Sequence, residues 1–313
     1  MKKLIIKNTS YIAVEKSFAQ WLDTLGYARH SLYTMPIYVH EFFYYLEKEY
    51  PNLKLRELSN EHVNKYYLQL QNRKNERYQS GALACSTLNK HQQALKLFFQ
   101  YLRQSGRIIL AGIELRNEVV ENPPIEVLSQ EEVKELFQTP YRITYKTGEE
   151  HLRERDRAML VIFYGCGLRR NEVVHLNVSD VDFERKYLKV RKGKNYKQRL
   201  VPLHSSYLSI LQIYIFDSRS KLIKQKKEVK EQALFLSVRG TRMADQSLSM
   251  RLRKMLEKTQ IDKHITLHTL RHSVATHLLQ QGMSLEQIAK FLGHSSLEST
   301  QIYTHLAEEQ PPI

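Results

Sequence analysis

His268-Thr269-Leu270-Arg271-His272-Ser273-Val274-Ala275-Thr276-His277-Leu278-Leu279-Gln280-Gln281-Gly282 reads as one helix. Leu270, Val274 and Leu278 recur every fourth residue and form an apolar stripe that can anchor the helix in a core. His268 and Arg271 stand three apart, so they share another face. Gly282 is placed to cap the C-terminus. A charged helix surface is the ordinary explanation for such residues. A His-x-x-Arg-His cluster beside an apolar stripe is less common and directs attention to its neighbours.

The chain continues through a second helix, opened by Ser284 with Gln287 and closed by Gly293 in Leu292-Gly293-His294-Ser295-Ser296. Ser295 with Glu298 opens the next helix, so His294 falls in a tight turn, nine residues before Tyr303. Upstream, an apolar helix (Met159 to Tyr164) stops at Gly165-Cys166-Gly167-Leu168-Arg169-Arg170-Asn171-Glu172, and a new helix begins near Arg169. A guanidinium near a helix N-terminus suits an anion. Between these segments, Tyr187-Leu188-Lys189-Val190 and Arg199-Leu200-Val201-Pro202 read as short strands. The polar turn between them, Arg191 to Gln198, is crowded by Lys192, Lys194 and Lys197. An exposed lysine such as Lys194 is a proton donor if phosphate and arginines surround it.

Residues from about Tyr11 to Gly106 read as a helical bundle. Phe18, Trp21, Leu22 and Leu25 keep the helical period and Gly26 ends the first helix. A second is expected from about Thr34 to Glu49, with Pro36 in its first turn. A third follows Ser59 as N-cap, and a fourth runs from about Ser86 to Gln104. Asn89, Lys90, Gln93 and Lys96 are polar positions of that last helix; such a face suits phosphates and base edges, or is simply solvated. Asn117 to Val127, with Pro123-Pro124, reads as a linker, and Ser129 with Glu132 opens the next helix. The expected organisation is therefore a helical domain over 1–116, a linker over 117–127 and a second domain over 128–313. The fold class is mainly α, with a mixed α/β C-terminal domain that holds a small antiparallel sheet.

The 48 lysines and arginines outnumber 33 acids, for a formal charge of +15, which favours a polyanionic partner, nucleic acid above all. Two cysteines, Cys85 and Cys166, make neither a disulfide framework nor a zinc site, and the cytoplasm follows as the default location. Met1-Lys2-Lys3-Leu4-Ile5-Ile6 lacks the apolar core of a signal peptide or a membrane span, so no membrane is expected. No carboxylate or Cys/His cluster has metal-ligand spacing.

Together, Arg169, Lys194, His268, Arg271, His294 and Tyr303 supply what metal-free phosphoryl transfer requires. Arginines neutralise non-bridging oxygens, tyrosine offers a nucleophile that holds the phosphoryl group as an ester, and histidines with lysine move protons. The order Arg169, Lys194, His268-x-x-Arg271, His294, Tyr303 resembles the tyrosine recombinase (phage integrase) family, in particular its two-domain Xer-like members. Gly167-Leu168-Arg169 with Glu172, the hairpin with Lys194, Lys197, Arg199, Val201 and Pro202, and Ser237 with Arg239-Gly240 before the helix around Gln246 to Leu256 carry the resemblance further.

The resemblance implies a helical core-binding domain that clamps DNA and a catalytic domain. Tyr303 would attack the scissile phosphate and form a 3′-phosphotyrosine. Arg169, Arg271 and His294 would bind the phosphate, Lys194 would protonate the leaving 5′-oxygen, and His268 would assist as general base. Glu172 would support the arginine box. No cofactor is needed, since the ester stores the bond energy. The partner would be double-stranded DNA with inverted recombinase-binding arms, held by a homotetramer on paired sites or a heterotetramer with a related recombinase. Arg239 and Arg242 join the expected DNA contacts. Asn171 departs from the small residue usual at its position, and only ten residues follow Tyr303, where the family often docks a longer C-terminal helix into a neighbouring protomer. The alternatives are a type IB topoisomerase, a DNA-binding regulator without catalysis, and a basic RNA-binding protein. The complete set of six residues argues against the regulator, and the helical N-terminal domain argues against the topoisomerase.

Overall fold

The computed structural model describes residues 4–74, 82–107, 118, 125–191, 198–223, 231–294 and 296–308. The chain divides into two compact units, Met1–Asn122 and Pro123–Ile313, each with its own apolar core. Pro123, Pro124 and most of the expected linker lie outside the described residues.

The first unit is built from α1 (Thr9–Thr24), α2 (Arg29–Glu49), α3 (Asn60–Asn72) and α4 (Cys85–Gln104). Asn8 caps α1 by accepting from the backbone N–H groups of Ser10 and Tyr11. The buried stripe of α1 is Tyr11, Val14, Phe18 and Leu22; Leu25, expected in the core, is exposed because it lies past the last helical turn. Stacked and edge-on aromatic pairs close the core, with Tyr11 and Phe43 centroids 4.6 Å apart and Phe18 and Phe98 5.4 Å apart. α2 corrects the expectation of a start at Thr34. It begins at Arg29, so Pro36 is its eighth residue and sits where a backbone N–H is normally needed. Burial of Met35, Val39, Phe42, Phe43 and Leu46 along the same helix outweighs that local cost, about 3 kcal/mol.

In the second unit α5 (Gln130–Arg142) opens with the expected capping box. The Glu132 backbone N–H donates to Ser129 Oγ at 3.2 Å, and the Ser129 N–H donates to Glu132 Oε2 at 2.7 Å. α6 (Leu152–Leu160) runs into a π-helical turn, Val161–Gly165, and α7 (Arg170–Val174) follows. The sheet has three antiparallel strands in the order β1 (Val181–Asp182), β2 (Tyr187–Val190) and β3 (Arg199–Pro202). β2 and β3 match the sequence reading; the two-residue β1 was too short to announce itself. Leu188 pairs with Val201 and Val190 with Arg199. Side chains alternate along a strand, so Arg199 shares the inward face of Val201 while Leu200 points to solvent.

The remaining helices are α8 (Ser205–Gln212), α9 (Arg219–Ile223), α10 (Asp245–Leu256), α11 (Leu267–Gln280), α12 (Leu285–Leu292) and α13 (Glu298–Glu308). Thr266 caps α11, and Ser284 with Gln287 forms the capping box of α12. The expected capping role of Ser295 falls outside the described residues. Among the described residues, no helix is long and apolar enough to cross a membrane.

Candidate active site

The site forms where α7, β3, α11, the α12–α13 turn and α13 meet. Glu172, on α7, is its organising anion. Its carboxylate receives Arg199 bidentately, Nη1 to Oε1 at 2.8 Å and Nη2 to Oε2 at 3.0 Å. It also accepts the Arg169 backbone N–H at 2.8 Å and the Arg169 Nη1 at 3.4 Å, and lies 4.0 Å from Arg271 Nη1. Burial alone would raise the Glu172 pKa, but the bonds and charge of Arg199, the Arg169 N–H and the charge of Arg271 hold it below the usual carboxylate range.

Arg271 is almost wholly buried, at 1% exposure. Its Nη1 donates to Gly167 O at 2.5 Å and its Nη2 to Leu292 O at 2.8 Å, so the Gly167 turn and the C-terminal end of α12 fix one guanidinium. Burial first, and Arg169 second, pull its pKa down to about 9. Arg169 reaches the same turn, with Nη1 donating to Gly293 O at 3.3 Å. Two glycines make these approaches possible. Gly167 has φ +60°, and a Cβ there would stand 2.7 Å from Leu292 Cδ2. Gly293 caps α12 at φ +69°, and a Cβ there would stand 2.7 Å from Arg199 Nη1.

Tyr303, on α13, is 1% exposed and packs with Val127, Ala275, Ile288 and Leu292. Its hydroxyl is 3.2 Å from His272 Nδ1. Its ring stacks on His294 at 6.2 Å, with 19° between planes. Burial raises the tyrosine pKa, and the charges of Arg271 and Arg169 partly offset this. His294 Nδ1 lies 2.8 Å from Thr300 Oγ1. Burial and the surrounding arginines, Arg271 first, lower its pKa to about 3. His268 is exposed, and its pKa is lowered by desolvation and by Arg271 and Arg169. The His268 and His272 rings meet edge-on at 4.6 Å.

Five of the six expected reactive residues, Arg169, His268, Arg271, His294 and Tyr303, therefore share one neighbourhood. The sixth, Lys194, lies outside the described residues, as do Lys192 and Lys197. Sequence reasoning missed three partnerships: His272 with Tyr303, Arg199 with Glu172, and Thr300 with His294. The first had a signal, since His272 follows His268 by one helical turn. Cys166, within the field of Arg199, is fully buried with its thiol pushed up to about 12, so it holds its proton.

A cleft of about 820 Å³ opens beside His268, lined by Arg170, Arg253, Lys263, His264 and Thr266. Of the other residues expected to touch DNA, Lys90, Gln93 and Lys96 are exposed on α4. Asn89 instead exchanges hydrogen bonds with the backbone of Glu118, at 3.0 and 2.8 Å. Arg239 is exposed in a turn. Arg242 donates to the carbonyls of Val174 and Leu176 and to Asn177 Oδ1, tying α7 to the segment before α10. Among the described residues, no group of three or more His, Cys, Asp or Glu could share a metal ion.

Residues 126–310 match the model of the Phage integrase family. The tyrosine recombinase XerC of Pelotomaculum thermopropionicum is 37% identical over 238 residues, which is 74% of this chain and 74% of that protein. The tyrosine recombinase XerD of Staphylococcus epidermidis is 38% identical over 197 residues, covering 61% of this chain and 63% of the relative. Among solved structures, the XerH site-specific recombinase bound to a palindromic difH substrate superposes with a TM-score of 0.70 at 22% identity, over 97% of this chain and 87% of that one. The lambda integrase dimer bound to a core site superposes at 0.64 with 16% identity, over 93% and 76%. These superpositions agree in fold with the helical architecture and its small sheet, and the sequence relatives carry the assignment: this chain belongs to the phage integrase family and is a tyrosine-type site-specific recombinase.

Proposed function

We propose that the chain cuts and rejoins double-stranded DNA through a 3′-phosphotyrosine on Tyr303. The observation that carries this reading is the packing of Tyr303 against His272 and His294 within the field of Arg169 and Arg271. The arginines and His294 bind the scissile phosphate and stabilise its pentacoordinate state. Lys194 protonates the leaving 5′-oxygen, and His268 assists in proton transfer. Glu172, held by Arg199, keeps the arginines in register. Phosphates flanking the scissile one follow the basic cleft of Arg170, Arg253 and Lys263. Exchange of strands needs paired sites with inverted arms, so the working form is a tetramer, of this chain alone or with a related recombinase. The expected division into a DNA-clamping domain over 1–116 and a catalytic domain over 128–313 fits this use. So does the expected cytoplasmic location, where such DNA would be met.

The test is a nicked suicide duplex carrying a site selected from a random duplex pool. The wild-type chain should form a covalent adduct that survives denaturation, in excess chelator as well as without it. Tyr303→Phe should bind the duplex and form none. An adduct in the Phe variant, or strict dependence on a divalent ion, would overturn the reading.

A further inference from the structure

We propose that His272, rather than His268, takes the proton from Tyr303 as the nucleophile attacks. This inference rests on Tyr303 being the nucleophile. Tyr303 and His272 come from different helices, α13 and α11, yet the hydroxyl meets Nδ1 at 3.2 Å. His268 is one turn earlier on α11, exposed, and touches His272 edge-on rather than the tyrosine. Its position suits the phosphate; that of His272 suits the hydroxyl.

The protonation states agree with this geometry. Burial, then the charges of His268 and Arg271, pull the His272 pKa down to about 4, so the ring is neutral near pH 7. Burial also keeps Tyr303 protonated. With the ring proton on Nε2, the tyrosine O–H donates to Nδ1. The groups facing this pair are His268 and Arg271 from α11 and His294 from the turn before α13, with Arg169 adding charge nearby. All of these are basic, so without DNA His272 is a weak acceptor. An arriving phosphate brings negative charge into this cluster and strengthens the base when it is needed.

As the bond from Oη to phosphorus forms, the O–H bond breaks and its proton moves to Nδ1, leaving an imidazolium. The bond from phosphorus to O5′ breaks, and the 5′-oxygen takes a proton from the acid assigned to Lys194. On rejoining, the 5′-hydroxyl gives a proton back to that acid and attacks phosphorus. The tyrosine then leaves and recovers its proton from His272.

The experiment measures single-turnover adduct formation on the nicked duplex from pH 6.5 to 9.5, using the full chain and the variants His272→Asn, His272→Gln, His268→Asn and Tyr303→Phe. An asparagine can accept the hydroxyl hydrogen bond but cannot take its proton. His272→Asn should bind DNA normally and react about 10²-fold or more slowly at pH 7. The deficit should shrink with rising pH, as hydroxide does the work of the base. Incorporation of 3-fluorotyrosine at position 303, a more acidic phenol, should restore the variant more than it accelerates the wild type. If His272→Asn fails to bind DNA, His272→Gln is read the same way. A rate within threefold of wild type, or a loss that is the same at every pH and not rescued, would overturn the proposal. A larger pH-dependent loss in His268→Asn than in the His272 variants would do the same. An adduct in Tyr303→Phe would instead remove the nucleophile reading on which it rests.

Discussion

Replacing Glu172 by Gln removes a negative charge that Arg199, Arg169 and Arg271 share. The side chain is 5% exposed and its main partner, Arg199, 9% exposed, so water screens neither. Breaking a buried ion pair from one side costs about 3–5 kcal/mol, because the remaining charge is left uncompensated. Gln keeps one acceptor and its volume, so the lower end, about 3 kcal/mol, applies. That is a large part of the 5–15 kcal/mol typical of a domain. With a urea dependence of about 1–3 kcal/mol per molar, the unfolding midpoint of the second unit should fall by about 1 M or more. Far-UV circular dichroism of the full chain follows both units. The single tryptophan, Trp21, belongs to the first unit and packs on Phe18, so its fluorescence is an internal control that should not move. The pH dependence has a defined sign. The folded pKa of Glu172 is depressed, so its contribution is fully present above the unfolded value, about 4.3, and is lost as pH falls through the lower folded value. The gap between wild type and Glu172→Gln should therefore persist at pH 7 and close in strong acid. An unchanged dichroism midpoint at pH 7 would refute the claim that this carboxylate holds the arginines.

Lys194→Ala should abolish cleavage of ordinary DNA, while a substrate with sulfur at the 5′-bridging position, a better leaving group, should recover much of the rate; no recovery would assign the lysine to phosphate binding. His272 and His294 have folded pKa values pulled down to about 4 and about 3, by burial first, against about 6.5 unfolded. The unfolded chain thus takes up protons first, so the urea midpoint of the second unit should decline as pH drops from about 6.5 towards 4, and His272→Asn with His294→Asn should flatten that decline. Fragment 126–313 should bind a selected site more weakly than the full chain and with a shallower salt dependence, since contacts from α4 are lost; equal affinity and slope would remove the first unit from DNA reading.

The sequence carried most of the helices and both longer strands because their signals are local. Gly26, Ser59, the Ser129–Glu132 pair, Ser284 and Gly293 mark helix ends through backbone chemistry that neighbours within four residues determine. The start of α2 departs from the sequence expectation for the opposite reason. Pro36 is a local stop signal, and the aromatic core of the bundle overrides it. The candidate site residues stand out in the sequence through their order along the chain, but their partners do not. Arg199 meets Glu172 across 27 residues, and Arg271 meets Gly167 across 104; only folding joins them. His272 was visible beside Arg271, yet nothing local distinguishes a ring that faces Tyr303 from one that faces solvent. Likewise, Asn89 and Arg242 are polar residues whose bonds to Glu118 and to Val174 depend on how distant segments return.

The most direct test is to trap the adduct, digest both protein and DNA, and identify the modified peptide by mass spectrometry. The expected product is a nucleotide linked through its 3′-phosphate to Tyr303, in the peptide that spans α13. A nucleotide on Tyr187, Tyr196 or any other side chain, or one linked through a 5′-phosphate, would contradict it.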